Sequence, residues 1–230
     1  MPIFLDSSRV EEVEKYHRMG FIRGVTTNPT LMFKDGLTGG MKGIEERSKH
    51  IAQLIHPLPL SVEVTTNEAS KMIEQAKMFA GWAENINVKI TVHGPAGELE
   101  NMEVIHQLET VHDIRVNVTA MMSAQQCLLA ALAGATYVSI FGGRVNNMGY
   151  SSCEEIRKLR KVLEAVDSKA QIIVGSTREV LNVIEWIEAG AHIVTVVPDL
   201  LQGMLVHPYT KETVQMFLRD AAKVEAVLNE

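Results

Sequence analysis

Cysteine is scarce in this chain of 230 residues: Cys127 and Cys153 are the only two, too few for a disulfide framework or a cysteine-based zinc site. They read as ordinary thiols of a reducing compartment. Aromatic residues make up 5%, so the core has to be built from Val, Ile, Leu, Ala and the 12 Met. No window approaches the ~18 uninterrupted apolar residues of a spanning helix. The opening Met1-Pro2-Ile3-Phe4-Leu5-Asp6 carries no basic stretch and no long apolar run, so no signal peptide is expected. Positive charge is short too: 22 Lys+Arg stand against 28 Asp+Glu, a net −6, without a Lys/Arg stripe. Neither nucleic acid nor an anionic membrane is therefore an expected partner. The histidines (17, 50, 56, 93, 106, 112, 192 and 207) include no H-E-x-x-H pattern, so no metal site is expected. No G-x-S-x-G elbow is present, and no Gly-rich nucleotide turn follows any candidate strand. What these absences predict is a soluble, cytoplasmic globular protein of ordinary polarity, 46% hydrophobic and 22% charged.

What is present is a rhythm. Eight short β-branched runs, Ile3–Ser7, Gly24–Asn28, Leu60–Thr65, Ile86–Thr91, Arg115–Ala120, Tyr137–Phe141, Gln171–Ser176 and His192–Pro198, each precede a longer helix-like segment. Those segments lie near 8–19, 41–55, 67–80, 97–112, 123–133, 153–166, 178–189 and 199–228. Ser8 with Glu11 predicts a capping box, and Asn67 and Ser123 predict N-caps. Gly20, Gly134 and Gly190 fall where helices should end. Eight strand–helix units without a linker predict an α/β fold, a (β/α)₈ TIM barrel, as one domain over residues 1–230. Residues 208–230 form a C-terminal helical extension, apolar on one side at Val214, Phe217, Leu218, Ala221, Val224 and Val227. A doubly wound sheet competes, but it normally carries a nucleotide turn that this chain lacks.

Inside the strands, polar residues keep one phase. Ser61, Glu63 and Thr65 alternate with Val62 and Val64; Asn87, Lys89 and Thr91 with Val88 and Ile90; Asn117 and Thr119 with Val116 and Val118. The outer face of a barrel strand lies under helices and should be apolar, so the polar phase should point inward. Asp6 and Asn28 join it from the first two strands. Buried charges have to be paired, hydrogen-bonded or neutralised. Two readings follow: a structural salt-bridge network filling the barrel, or a catalytic mouth assembled from several strand ends. Lys89 is the most informative residue, because desolvation favours the neutral amine that attacks carbonyls, whereas nearby carboxylates oppose that shift. A second group lies on the late loops. Arg144 follows Gly142-Gly143, Ser176 ends the seventh strand, and Arg178 opens the next helix. Two guanidinium groups, a hydroxyl and free N–H groups at a helix start make a cradle for a phosphate, unless the arginines simply solvate the surface.

The segments Phe4-Leu5-Asp6-Ser7, Gly24-Val25-Thr26-Thr27-Asn28-Pro29-Thr30, Val88-Lys89-Ile90, Val116-Asn117-Val118-Thr119, Ala133 to Ser139 and Gly143-Arg144 together resemble the small transaldolase and fructose-6-phosphate aldolase family, in order over essentially the whole chain. The resemblance implies a (β/α)₈ fold and class I aldol chemistry without a cofactor. It makes Lys89 the Schiff-base lysine and Asp6 the general acid/base for carbon–carbon cleavage. Glu63 and Thr119 become the pair holding a proton-shuttling water. Asn28 and Asn117 bind the hydroxyls of the dihydroxyacetone fragment, with Thr26 and Ser139 close by, and Arg144, Ser176 and Arg178 clamp the phosphate.

Within the family, the aldolase branch typically carries Gln and Tyr where this chain has Glu63 and Phe141, as in transaldolases. Phe141 offers no phenolic proton to the enamine, so the carbanion equivalent waits for an aldehyde. The resemblance thus implies a transaldolase moving a dihydroxyacetone unit between sugar phosphates, with an aldolase releasing free dihydroxyacetone as the alternative and a non-catalytic sugar-phosphate binder as a third. Departures from the family pattern surround the mouth: Thr91 where proline is usual, the loop Val92-His93-Gly94-Pro95-Ala96-Gly97, then Ala120-Met121-Met122, and Val145 to Tyr150. They bear on the substrate pair, and a sugar sulfonate would suit the same cradle. Small members commonly form pentamer-based rings, so a homo-oligomer (pentamer or decamer) is also implied.

Overall fold

The structure is a computed structural model and describes residues 2–228, with side chains described as far as residue 226. The β-branched runs form eight strands: β1 (Ile3–Asp6), β2 (Val25–Thr26), β3 (Leu60–Glu63), β4 (Ile86–Thr91), β5 (Val116–Met121), β6 (Tyr137–Ile140), β7 (Gln171–Val174) and β8 (Ile193–Val196). They pair in parallel in chain order, and β1 closes on β8. The expected barrel is the fold.

Strand parity divides the interior into two cores. Leu5, Val25, Leu60, Val62, Val88, Ile90, Val116, Val118, Val138, Ile140, Ile172, Val174, Val194 and Val196 face outward into one continuous apolar layer beneath the helices. A separate small cluster, Phe4, Tyr137, Ile173 and Ile193, packs inside the barrel. Two residues further along the same strands come Asp6, Ser139, Gly175 and Thr195, all lining the cavity above. Because side chains two apart share a face, the apolar four make a floor and the polar layer sits on it. Gly24 leaves room for that floor, since a Cβ there would stand 2.6 Å from Phe4 Cζ.

Eight of the helices follow the strands in the expected places: α1 (Val10–Arg18), α3 (Gly40–Ile55), α4 (Ala69–Ala80), α5 (Glu100–Thr110), α6 (Ala124–Leu132), α8 (Ser152–Ala165), α9 (Val180–Glu188) and α10 (Pro198–Leu205). Two short ones were not expected, α2 (Pro29–Lys34) and α7 (Gly142–Asn147), one in the loop after β2 and one in the loop after β6. The single segment 199–228 is two helices, α10 and α11 (Pro208–Leu228), because Val206 is extended and Pro208 opens a new helix instead of continuing the old one. Along α11 every side chain described is exposed; the side chains of residues 227–230 of the predicted extension, Val227 among them, lie outside that description.

Two of the helix caps differ from those expected. Ser123 does cap α6, accepting from Gln126 N. Ser8 and Glu11 do not form a capping box: the N-cap is Arg9, and Ser8 donates its hydroxyl to Asp35 Oδ2 at 2.7 Å instead, a charged acceptor outcompeting a helix end. Asn67 is not an N-cap either. Glu68 holds that position, and Asn67 Oδ1 accepts from Thr91 and Asn101. Gly20, Gly134 and Gly190 adopt left-handed φ just past their helices, as expected. Among the described residues no helix is long and apolar enough to cross a membrane.

Candidate active site

A cavity of about 530 Å³ opens at the C-terminal ends of the strands. Asp6, Thr26, Asn28, Glu63, Lys89, Asn117, Thr119, Ser139, Phe141, Arg144, Ser176 and Arg178 all line it. Four residues of the expected inward phase do not line it: Ser61 and Asn87 are fully buried below it, and Thr65 and Thr91 lie beyond it. Thr65 lies beyond the end of β3, exposed and bonded to Gln75, and Thr91 turns at the top of β4 toward Asn67 and Asn101.

Register aligns Glu63 with Lys89 and Lys89 with Asn117 across β3, β4 and β5. Lys89 Nζ lies 3.2 Å from Glu63 Oε2, with only 7% and 17% of the two side chains exposed. The amine also donates to the Thr27 carbonyl at 2.9 Å. Those two contacts turn the amine toward β2 and β3, with the cavity on its open side. Next to it, β5 bulges: Val118 pairs with Val138 but Met121 with Ile140, so β5 carries one extra residue. Ala120 absorbs that residue at φ 61, a conformation with a cost for any side chain. Beside the bulge, Thr119 Oγ1 is buried with no hydrogen-bond partner among the described residues. Asn117 is held from both ends, its Nδ2 donating to Ser61 Oγ at 3.1 Å while Ser139 Oγ donates to its Oδ1 at 2.6 Å.

Asp6 stands on the other wall, its Oδ1 accepting from Thr26 Oγ1 at 2.7 Å. Burial raises its carboxyl above the usual aspartate range, opposed by the positive charge of Lys89 and by the Thr26 hydrogen bond. Thr26 Oγ1 in turn lies 2.5 Å from Thr195 Oγ1. Asn28 Oδ1 caps α2 by accepting from Leu31 N at 2.9 Å, and the residue lines the cavity.

At the rim, Gly142 and Gly143 fix where Arg144 emerges. A Cβ on Gly143 would lie 1.8 Å from the Ser176 carbonyl oxygen, and one on Gly142 2.6 Å from Trp186 Cζ2. The two loops after β6 and β7 therefore touch backbone to backbone, an approach only glycine permits. Ser176 sits past the end of β7 at φ 60. Arg144 and Arg178 are exposed, and neither guanidinium has a carboxylate partner among the described residues. The Arg144 guanidinium lies 5.6 Å from the centre of the Phe141 ring, a cation–π contact. One part of the expected cradle is absent. The N–H groups of Arg178 and Glu179 are not free, because Asn182 Oδ1 accepts from both and a capping box closes α9.

The cavity is also lined by Pro29, Thr30, Leu31, Ala120, Ile173, Gly175 and Thr195, of which Thr195 shares the inward phase of β8 with Ile193. The strand alternation that marked Lys89 marks Thr195 as well. Among the described residues no group of three His, Cys, Asp or Glu side chains is placed to hold a metal ion.

Residues 3–230 match the family described as Transaldolase/Fructose-6-phosphate aldolase. A Listeria monocytogenes protein named "Probable transaldolase 2" is 40% identical over 220 residues, covering 96% of this chain and 95% of that one. A Bacillus cereus protein named "Probable transaldolase 1" is 34% identical over 225 residues, 98% of this chain and 99% of its own. The barrel also resembles a thiamine phosphate pyrophosphorylase from Pyrococcus furiosus, with TM-score 0.60 at 14% identity over 85% of each chain, a likeness of fold alone.

Proposed function

This chain belongs to the transaldolase/fructose-6-phosphate aldolase family, and from that premise we propose that it is a transaldolase that moves a dihydroxyacetone unit from a ketose phosphate, such as fructose 6-phosphate or a related 6-anionic ketose, to an aldose phosphate. The observation that carries this reading is Lys89, a buried amine 3.2 Å from Glu63 in a cavity it shares with Asp6 and Thr119. An amine that attacks a carbonyl has to shed a proton first, and Glu63 is the acceptor within reach. The nitrogen adds to C2 of the ketose, and water leaves to give the imine. Thr119 Oγ1, otherwise unpartnered, and Glu63 hold the water that carries protons to and from the carbinolamine. Asp6 then takes the proton of the C4 hydroxyl, the C3–C4 bond breaks, and the aldehyde departs. The electron pair stays on C3 as an enamine conjugated to the Lys89 nitrogen. Attack on a second aldehyde reverses the sequence, with Asp6 returning its proton to the new alkoxide and hydrolysis freeing the lysine. Asn28, Asn117 and Ser139 bind the hydroxyls of the retained three carbons, while Arg144, Arg178 and Ser176 hold the terminal anion.

Transfer is favoured over release because the Phe141 ring has no proton to give the enamine and lies under Arg144. Incubation with fructose 6-phosphate, with and without an added aldose phosphate, tests this. New ketose is expected only with the acceptor. Free dihydroxyacetone at a comparable rate without it would mean an aldolase instead.

The homo-oligomer rests on α11. Val214, Phe217, Leu218 and Val224 are all exposed on this 21-residue helix, more apolar surface than a lone helix leaves in water. A second copy of the chain is the proposed cover. Deleting residues 208–230 is expected to lower the sedimentation mass to that of a smaller assembly or a monomer; an unchanged mass contradicts it.

A further inference from the structure

The polar layer above the barrel floor contains a short hydroxyl chain that the reaction as described does not use. Thr195 on β8, Thr26 on β2 and Asp6 on β1 line one wall of the cavity. The oxygens run Thr195 Oγ1, 2.5 Å, Thr26 Oγ1, 2.7 Å, Asp6 Oδ1. Both threonines are buried. The Thr195 main chain is pinned as well, since its carbonyl accepts from Thr177 Oγ1 at 2.8 Å.

Proton counting fixes the direction of the chain. A hydroxyl has one proton to donate and two lone pairs. While Asp6 is a carboxylate it can only accept, so the single Thr26 proton goes to Asp6. The 2.5 Å contact then requires Thr195 to be the donor to Thr26. Once Asp6 takes a proton, the chain can reverse, with Asp6 donating to Thr26 and Thr26 to Thr195. Each bond polarises the next, most strongly away from water.

We propose that Thr195 is a positioning residue for the acid–base group: its hydroxyl commits the Thr26 proton to Asp6 Oδ1, which fixes the carboxylate and leaves Oδ2 for the substrate hydroxyl. It acts through Thr26 and does not touch the reacting atoms. This rests on the aldol reading, in which Asp6 must be ionised to begin cleavage. The other charged groups that bear on Asp6 are Lys89 on β4, Glu63 on β3 and Asp35 after α2; none of them is altered by a change at Thr195. The sign is fixed by the chemistry. Donors to a carboxylate favour its charged form, so weakening the chain raises the pH at which Asp6 gains its proton, and the acid limb of the kcat/KM profile moves up.

The test compares Thr195→Val, which keeps the shape, with Thr195→Ser, which keeps the hydroxyl; Thr195→Ala replaces the valine variant if that one fails to fold. The acid limb is expected to move up by about 0.5–1 pH unit in Thr195→Val and to return in Thr195→Ser. A valine profile overlaying the wild type overturns the proposal, as does a serine variant that stays shifted while folded. Borohydride reduction of the wild-type enzyme with donor separates the two levels. An adduct on Lys89 with an unshifted valine profile removes only the role of Thr195, whereas no adduct removes the aldol reading and this inference with it.

Discussion

Lys89→Arg is expected to lose at least about 10⁴-fold in kcat, the scale of losing a covalent nucleophile. The substitution separates charge from reactivity. Arginine keeps a cation beside Glu63, so the local field and the partner of that carboxylate survive. A guanidinium does not condense with a ketone, and it stays protonated under all working conditions. If Lys89 only filled the barrel as half of a structural ion pair, arginine would serve as well and activity would remain. Lys89→Met gives the converse control: the stem fits the same volume, but Glu63 loses its cation. The expected pattern is that both variants fold, by circular dichroism, and neither turns over the donor. More than a tenth of wild-type kcat in Lys89→Arg would contradict the assignment.

The second large effect is expected at the rim. Replacing Arg144 and Arg178 together by alanine should lower kcat/KM for a 6-phosphorylated ketose by about 10²–10⁴-fold, since each charge-assisted hydrogen bond to an anion contributes about 1.5–3 kcal/mol. Most of the change should appear in KM, because the anion is bound alike before and during the reaction. A ketose without a terminal anion should be affected little. The arrangement supports a large share for side chains because the backbone N–H groups of Arg178 and Glu179, just before α9, already donate to Asn182 Oδ1. A loss that is equal for anionic and neutral ketoses would mean that the arginines support the loops and do not bind the substrate. Measuring a phosphate and a sulfonate donor side by side in the same variant would show which anion the pair prefers.

The barrel was legible because its two facing cores impose one rule on every strand. Val62 and Val88 must be apolar against the helices, so Glu63 and Lys89 had nowhere to point but inward, and they meet there. The site residues followed from that alternation together with the family motifs. What was not legible depended on contacts distant in sequence. α2 and α7 are only six residues long, too short for a helical periodicity to show; what makes the α7 glycines necessary is Trp186 and the Ser176 carbonyl, far along the chain. The Ser8–Glu11 pattern was sound locally and lost to Asp35, 27 residues on. Arg178 was placed at an open helix end, but Asn182 closes that end. Thr195 went unnoticed although its strand alternates like the others, because a threonine among valines in β8 draws no attention until Thr26 and Asp6 are seen beside it.

The central claim is a covalent bond between Lys89 and the donor. Reduction with borohydride in the presence of fructose 6-phosphate, followed by peptide mass mapping, tests it most directly. The account predicts a reduced sugar adduct on the peptide containing Lys89, dependent on the donor and absent from Lys89→Arg. Loss of activity without any adduct, or an adduct on another lysine, would contradict it.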